Sequence, residues 1–152
     1  MSKNISDIDI NLGKGVDWEG GTMEGPGGGQ KINLMKQYLS SVPDSTIIMF
    51  IDGYDTFLAA SREEILDRYL SFNKDIVFSA EKICWPDPKM ADLHPLTHTK
   101  CRYLNSGTYI GTVRALKSLF SDPIKNHEDD QLYVQQAFLS NKYDVVLDVE
   151  SY

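Results

Sequence analysis

The order of apolar and polar positions divides the chain into strands and helices joined by glycine- and proline-bearing loops. Ile47-Ile48-Met49-Phe50-Ile51, entered through Ser45 and Thr46, is an unbroken apolar run with β-branched members. It predicts a strand over 46–51 buried on both faces, as in the middle of a parallel α/β sheet. Upstream, Ile32, Met35 and Leu39 recur at helical intervals, predicting a helix from Gln30 that ends near Pro43. Ser61 opens a second helix, with Glu63 and Glu64 in its first turn and Ile65, Leu66, Tyr69 and Leu70 along its buried side. Ile76-Val77-Phe78 predicts a compact strand over 75–80. The pattern then loses its period over 81–102, around Trp85-Pro86-Asp87-Pro88. Residues 103–111 read as short strand pieces around Asn105-Ser106-Gly107, and 114–120 as a short helix. A better helix covers 128–139, with Val134, Ala137 and Phe138 on one side, and 143–147 reads as a last strand. Strands alternating with helices predict an α/β layered sheet of about four or five strands. No repeat or internal boundary interrupts 1–152, which reads as one domain.

Residues 1–29 behave differently. Gly15, Gly20, Gly21, Gly25, Gly27, Gly28 and Gly29, interrupted by Pro26, predict a long functional or mobile loop, preceded by an edge strand built on Ile5, Ile8 and Ile10. At 152 residues the chain can bury roughly two-thirds of its unfolded surface. A net charge of −7 argues against a nucleic-acid partner, because phosphate backbones are held by clustered Lys and Arg. Cys84 and Cys101 carry no zinc or redox motif and no disulfide framework. No apolar run is long enough to span a membrane, and the polar first residues do not form a signal peptide, so the expectation is a soluble, cytoplasmic protein without membrane contact.

The chemistry concentrates after the first strand. Asp52-Gly53-Tyr54-Asp55 follows the apolar run directly, which puts two carboxylates and an aromatic ring at the carboxyl edge of the sheet, where open α/β sheets bind ligands. Such a pair suits a hard divalent cation beside a diphosphate; Asp-Gly also makes an ordinary turn. Lys31 opens the first helix after three glycines, a place where backbone N–H groups and an ammonium can meet a phosphate. The alternative is a linker followed by an exposed lysine. Asp129 and Asp130 begin the last long helix. They are fit to cap it, but Asp130 lies four residues before Val134 and seven before Ala137, so it projects from the inward stripe. Trp85 is either a core plug or a platform for a sugar ring or base. His94 and His98 have ligand-like spacing, but Pro95 breaks the helix that would align them, and they read as loop histidines.

Taken in order, Leu12-Gly13-Lys14-Gly15, Trp18, Gly20-Gly21, Gly28-Gly29-Gln30-Lys31, Phe50-Ile51-Asp52-Gly53-Tyr54-Asp55, Val77-Phe78-Ser79-Ala80-Glu81, Trp85-Pro86-Asp87, Arg102-Tyr103-Leu104-Asn105-Ser106-Gly107, Ile110-Gly111 and Asp129-Asp130-Gln131-Leu132 closely resemble the glycosyltransferase domain of the procollagen lysyl hydroxylase (multifunctional collagen glycosyltransferase) family. The resemblance implies a GT-A-like, Rossmann-like α/β fold, with a mixed, mostly parallel sheet flanked by helices, an Mn2+ ion and a UDP-sugar donor. It implies that Asp52 and Asp55 ligate Mn2+ against the diphosphate, that Tyr54 stacks on the uracil and that Lys31 approaches the phosphates. By the same resemblance Asp129 and Asp130 face the sugar and acceptor, while Trp85 and Asn105 line the sugar and acceptor pocket. The acceptor would be a hydroxyl, hydroxylysine of a collagen-like chain being the family's case.

Set against that family, the chain is expected to lack the usual first strand and the C-terminal end with its histidine metal ligand, a place that neither His94 nor His98 fills. An inactive or split GT-A-like module with a binding or assembly role is the rival reading, and a nucleotidyltransferase a weaker one. An acidic surface with an unfinished sheet edge also admits a second copy or a completing chain as partner.

Overall fold

The computed structural model describes residues 9–22, 25, 27–53 and 56–151. Among the described residues, four helices and four strands follow one another as α1 (Gly29–Ser40), β1 (Ile47–Ile51), α2 (Arg62–Ser71), β2 (Ile76–Glu81), β3 (Tyr103–Thr112), α3 (Val113–Leu119), α4 (Asp130–Leu139) and β4 (Val145–Asp148), with a 3-10 helix at Pro88–Leu93. The strands form one sheet in the order β1-β3-β2-β4. The mixed α/β class read from the sequence holds, with helices flanking the sheet. β2 and β4 are parallel, and both β1 and β2 are antiparallel to the β3 strand between them. Three strands therefore share one direction while two of the three pairings are antiparallel. β3 can enter the middle because it returns against β2 after the irregular 82–102 segment, without the helical crossover a parallel neighbour requires.

Register decides the core. Phe50, Tyr109, Phe78 and Leu147 lie opposite one another across the sheet. The Tyr109 ring stacks on Phe50 at 4.9 Å, meets Phe78 at 5.0 Å and takes Phe120 edge-on at 5.7 Å. Such ring pairs add to sheet cohesion beyond their buried area. Ile32, Met35 and Leu39 of α1, Val113, Leu116 and Leu119 of α3, and Val134 of α4 close this core. The helical period read for α1 and α4 is thus a packing period.

Two expectations about burial fail. β1 is an edge strand of the described sheet: Ile48 and Phe50 pack on the core, whereas Ile47 and Met49 turn outward and are each 36% exposed. An unbroken apolar run does not reveal which neighbours cover its second face. In α2, capped as expected by the Ser61 side chain, only Tyr69 is buried and Leu70 is half exposed.

β3 is one strand of ten residues rather than separate pieces. Its register against β2 jumps, Phe78 facing Tyr109 and the next residue, Ser79, facing Asn105. The residues between Asn105 and Tyr109 are extruded as a bulge, and bulges re-aim backbone and side chains at sheet rims.

The described glycine-rich residues are pinned rather than loose. Gly28 N–H donates to Gly20 O (2.7 Å), Gly29 N–H to Glu128 O (2.8 Å), and Asp130 N–H to Gly27 O (2.9 Å). Ile5 and Ile8 lie outside the described residues, and Ile10 is exposed and in no strand. Among the described residues no helix is long and apolar enough to cross a membrane.

Candidate active site

Asp52 is the first residue past β1, and its N–H donates to the bulge carbonyl of Gly107 at 2.8 Å. The bulge is closed by Asn105, whose Oδ1 accepts from Gly107 N–H at 2.8 Å and lies 3.3 Å from Ser79 Oγ. A Cβ on Gly107 would stand 3.0 Å from Asn105 Oδ1 and 3.1 Å from Asp52 Oδ2, so glycine gives the loop room to press against both. Asp52, Thr56, Asn105, Ser106, Thr108 and Gln131, with Gly107, line an open cavity of about 200 Å³. Every side chain on that wall is polar.

Lys31, in the first turn of α1, reaches the same place. Its Nζ is 3.2 Å from both carboxylate oxygens of Asp52 and 2.9 Å from Asp130 Oδ2. Burial alone lowers the lysine pKa, but the charges of Asp130 and then Asp52 outweigh it and hold the ammonium above its usual range. Asp130 is 8% exposed, on the inward side of α4 as its position in the stripe implies. It is seated against Gly28, which has φ of +92°, and a Cβ there would lie 2.6 Å from the Asp130 Cγ. Beneath the pair, the fully buried Tyr109 phenol is pushed well up by burial, then by the charges of Asp130 and Asp52.

Gln131 joins the remaining walls. Its Nε2 donates to Glu81 Oε1 (2.5 Å) and to the Trp85 carbonyl (3.1 Å), while its Oε1 accepts from Ser106 N–H (3.2 Å). One turn on, Gln135 Nε2 also donates to the Trp85 carbonyl, at 3.3 Å. Glu81 closes β2 at the same carboxyl edge as Asp52. Burial raises its pKa against the opposing hydrogen bonds from Gln131 and Asn105. The sequence reading assigned no role to Gln131, Gln135 or Glu81. A signal existed, since two glutamines four apart on a helix whose neighbours pack inward must satisfy their amides inside.

The structure thus puts Asp52 and Asn105 on the wall of one crevice, ties Lys31 and Asp130 to it through the ammonium on Asp52, and holds Trp85 to the lining residue Gln131 through its carbonyl. Trp85 is 47% exposed and so is not a core plug. Asp129 is the N-cap of α4, its carboxylate accepting from Leu132 N–H at 2.7 Å, and burial raises its pKa. Tyr54 and Asp55 lie outside the described residues. The approach expected of a phosphate to the N-terminus of α1 meets an obstacle. Gly29, Gln30 and Lys31 donate their N–H groups to Glu128, Asn126 and Gly28 carbonyls, leaving the ammonium, seated on Asp52, as the positive group nearest the crevice wall at this helix end. His94 is buried against Tyr103 and Phe138, and His98 is exposed and paired with Glu150, so the two do not converge. Among the described residues no group of three or more His, Cys, Asp or Glu could hold a metal.

Fold and site define an α/β domain with a polar crevice at the carboxyl edge of its sheet. The chain belongs to the PLOD GT domain family, which it matches over residues 2–151. It is 39% identical over 158 residues to a procollagen-lysine,2-oxoglutarate 5-dioxygenase of Drosophila melanogaster, covering 99% of this chain and 22% of that protein. It is 36% identical over 132 residues to the human multifunctional procollagen lysine hydroxylase and glycosyltransferase LH3, covering 84% of this chain and 18% of the relative. The Caenorhabditis elegans multifunctional procollagen lysine hydroxylase and glycosyltransferase is 36% identical over 148 residues, 93% of this chain and 20% of its own length. The chain therefore spans about a fifth of the length of these relatives.

Proposed function

We propose that this domain transfers a hexose, glucose or galactose, from a UDP-sugar to a hydroxyl acceptor of the hydroxylysine type, with Mn2+ as cofactor. The observation that carries the reading is the Lys31 ammonium bridging Asp130 to Asp52 at the wall of a polar crevice, in a chain that matches the PLOD GT domain family over residues 2–151. The Asp52 carboxylate already holds a cationic group on both oxygens, at the rim of the crevice with its side chain 35% exposed, so its donor chemistry and access fit a hard divalent ion. Asp52, together with Asp55 from the sequence, would hold Mn2+. When bound, that ion supplies electrostatic stabilisation to the departing diphosphate.

The chain's own residues do the rest. Lys31 adds a positive charge that can meet phosphate oxygens, and Tyr54 is the expected partner of the uracil ring. Asp130, 2.9 Å from the Lys31 ammonium, offers a carboxylate that can stabilise positive charge at the anomeric carbon or accept the acceptor's hydroxyl proton. Asn105 and the backbone of the bulge present polar groups to sugar hydroxyls, and the half-exposed Trp85 offers a ring face to the sugar or acceptor. Asp129 fixes the start of α4, hence the direction from which Asp130 enters.

The test is Asp130→Asn, which keeps shape and hydrogen bonding but removes the charge. UDP affinity should hold within a few-fold while transfer from UDP-glucose or UDP-galactose to a hydroxylysine peptide falls by about 10²-fold or more. Equal loss of binding and transfer would mean that Asp130 only supports the fold.

A further inference from the structure

The Lys31 ammonium stands equidistant from both Asp52 oxygens, 3.2 Å each, on the side of the carboxylate where a metal ligated by both would sit. We propose that Lys31 is an exchangeable counter-cation, seated on Asp52 until a divalent cation arrives and then passed to the donor's diphosphate, so that cation and nucleotide bind as a coupled pair. This rests on the metal and diphosphate reading above and adds how the two ligands depend on each other.

The charge count explains the coupling. Asp52 and Asp130 contribute two negative charges and Lys31 one positive, a net −1 among these described groups. A divalent ion on Asp52 would add two positive charges and crowd a second cation against the ammonium at close range, where screening is weak. A diphosphate arriving with the ion brings compensating negative charge and gives the ammonium somewhere to go. Geometry permits the move. The Lys31 backbone is fixed by its N–H bond to Gly28 O at 2.8 Å, and Asp130 Oδ2, at 2.9 Å, is a second anchor that does not depend on Asp52. The four-carbon stem can therefore release one carboxylate and keep the other, a rotation that suits the point charge of lysine. By linkage, whatever the diphosphate does for cation affinity, the cation does equally for diphosphate affinity.

The experiment measures Mn2+ binding itself, by the electron paramagnetic resonance signal of the free ion, in the purified chain with and without UDP. The proteins compared are the unaltered chain, Lys31→Met, Lys31→Gln and Lys36→Met. Lys31→Gln retains a donor toward Asp130 in case the methionine variant folds poorly. Lys36, five residues on and bonded to the Asp122 carbonyl, controls for the loss of one positive charge from the same helix. In the unaltered chain UDP should tighten Mn2+ binding by about tenfold or more. Both Lys31 variants should bind Mn2+ alone about tenfold tighter than the unaltered chain and lose most of the UDP enhancement. Lys36→Met should behave like the parent. Unchanged or weaker Mn2+-only affinity in both Lys31 variants, with UDP and Mn2+ still coupled in the parent, would overturn the exchange and leave the functional reading standing. Absence of Mn2+ binding by the parent, with or without UDP, would overturn both.

Discussion

Gly28 connects backbone geometry to the chemistry of the crevice, and Gly28→Ala separates the two contributions. The residue is the N-cap of α1 in the left-handed region, φ +92°, where an alanine costs about 1 kcal/mol. The new Cβ would also stand 2.6 Å from Asp130 Cγ and nearer still to Oδ1, a contact that cannot persist. Asp130 must swing away, breaking its 2.9 Å bond to Lys31, in a place where the two side chains are only 11% and 25% exposed. Losing such a charge-assisted bond costs about 1.5–3 kcal/mol. The sum is about 2.5–4 kcal/mol, read by urea unfolding followed through tryptophan fluorescence. In an Asp130→Ala background both the clash and the bond are gone, and the remaining Cβ–Cβ separation of 3.2 Å needs only a small adjustment. Gly28→Ala should then cost about 1 kcal/mol, the backbone part alone, so the double-mutant cycle should show a coupling of about 1.5–3 kcal/mol. An equal cost in both backgrounds would refute the claim that Gly28 exists to seat Asp130.

Gln131→Ala removes the amide that ties Glu81, the Trp85 carbonyl and Ser106 together, and should destabilise the chain by about 2–4 kcal/mol in the same urea assay; a loss below about 0.5 kcal/mol would mean that water replaces it. His94 gives a pH signature. Its ring is 3% exposed, neither nitrogen has a well-formed hydrogen bond among the described residues, and burial depresses its pKa against the opposing Arg102 backbone, with the Arg102 charge adding to the burial effect. The unfolded state then binds the proton more readily, so stability falls as pH drops below about 6.5, the ordinary histidine value. His94→Phe should remove that component of the difference between pH 7.5 and pH 5.5, and an unchanged difference would show that the imidazole is protonated in place.

Much of the fold was legible because its signals were local. Ile32, Met35 and Leu39 announced α1, Ser61 the start of α2, and Ile76-Val77-Phe78 the buried β2. What escaped depends on neighbours distant in sequence. The apolar run of β1 could not say that β3 covers one of its edges while the other stays open in the described sheet. Asn105-Ser106-Gly107 looked like a break between strand pieces because glycine and asparagine are turn formers; with paired residues before and after it, the same segment becomes a bulge inside one strand. The candidate site was legible in part for a physical reason. Carboxylates just past a strand and at the start of a helix must lie at the ends of those elements, so Asp52 and Asp130 could be placed from position alone. Their meeting through Lys31, and the Gln131 network that fixes the bulge to α4, are contacts between elements and left only the buried glutamines as a trace.

Calorimetric titration of UDP into the purified chain, first with Mn2+ and then with EDTA, tests the central claim most directly. The account predicts binding that requires Mn2+ and disappears in Asp52→Ala. Equal affinity in Mn2+ and EDTA, or full metal-dependent affinity retained by Asp52→Ala, would contradict the assignment of this crevice to a metal-bound nucleotide.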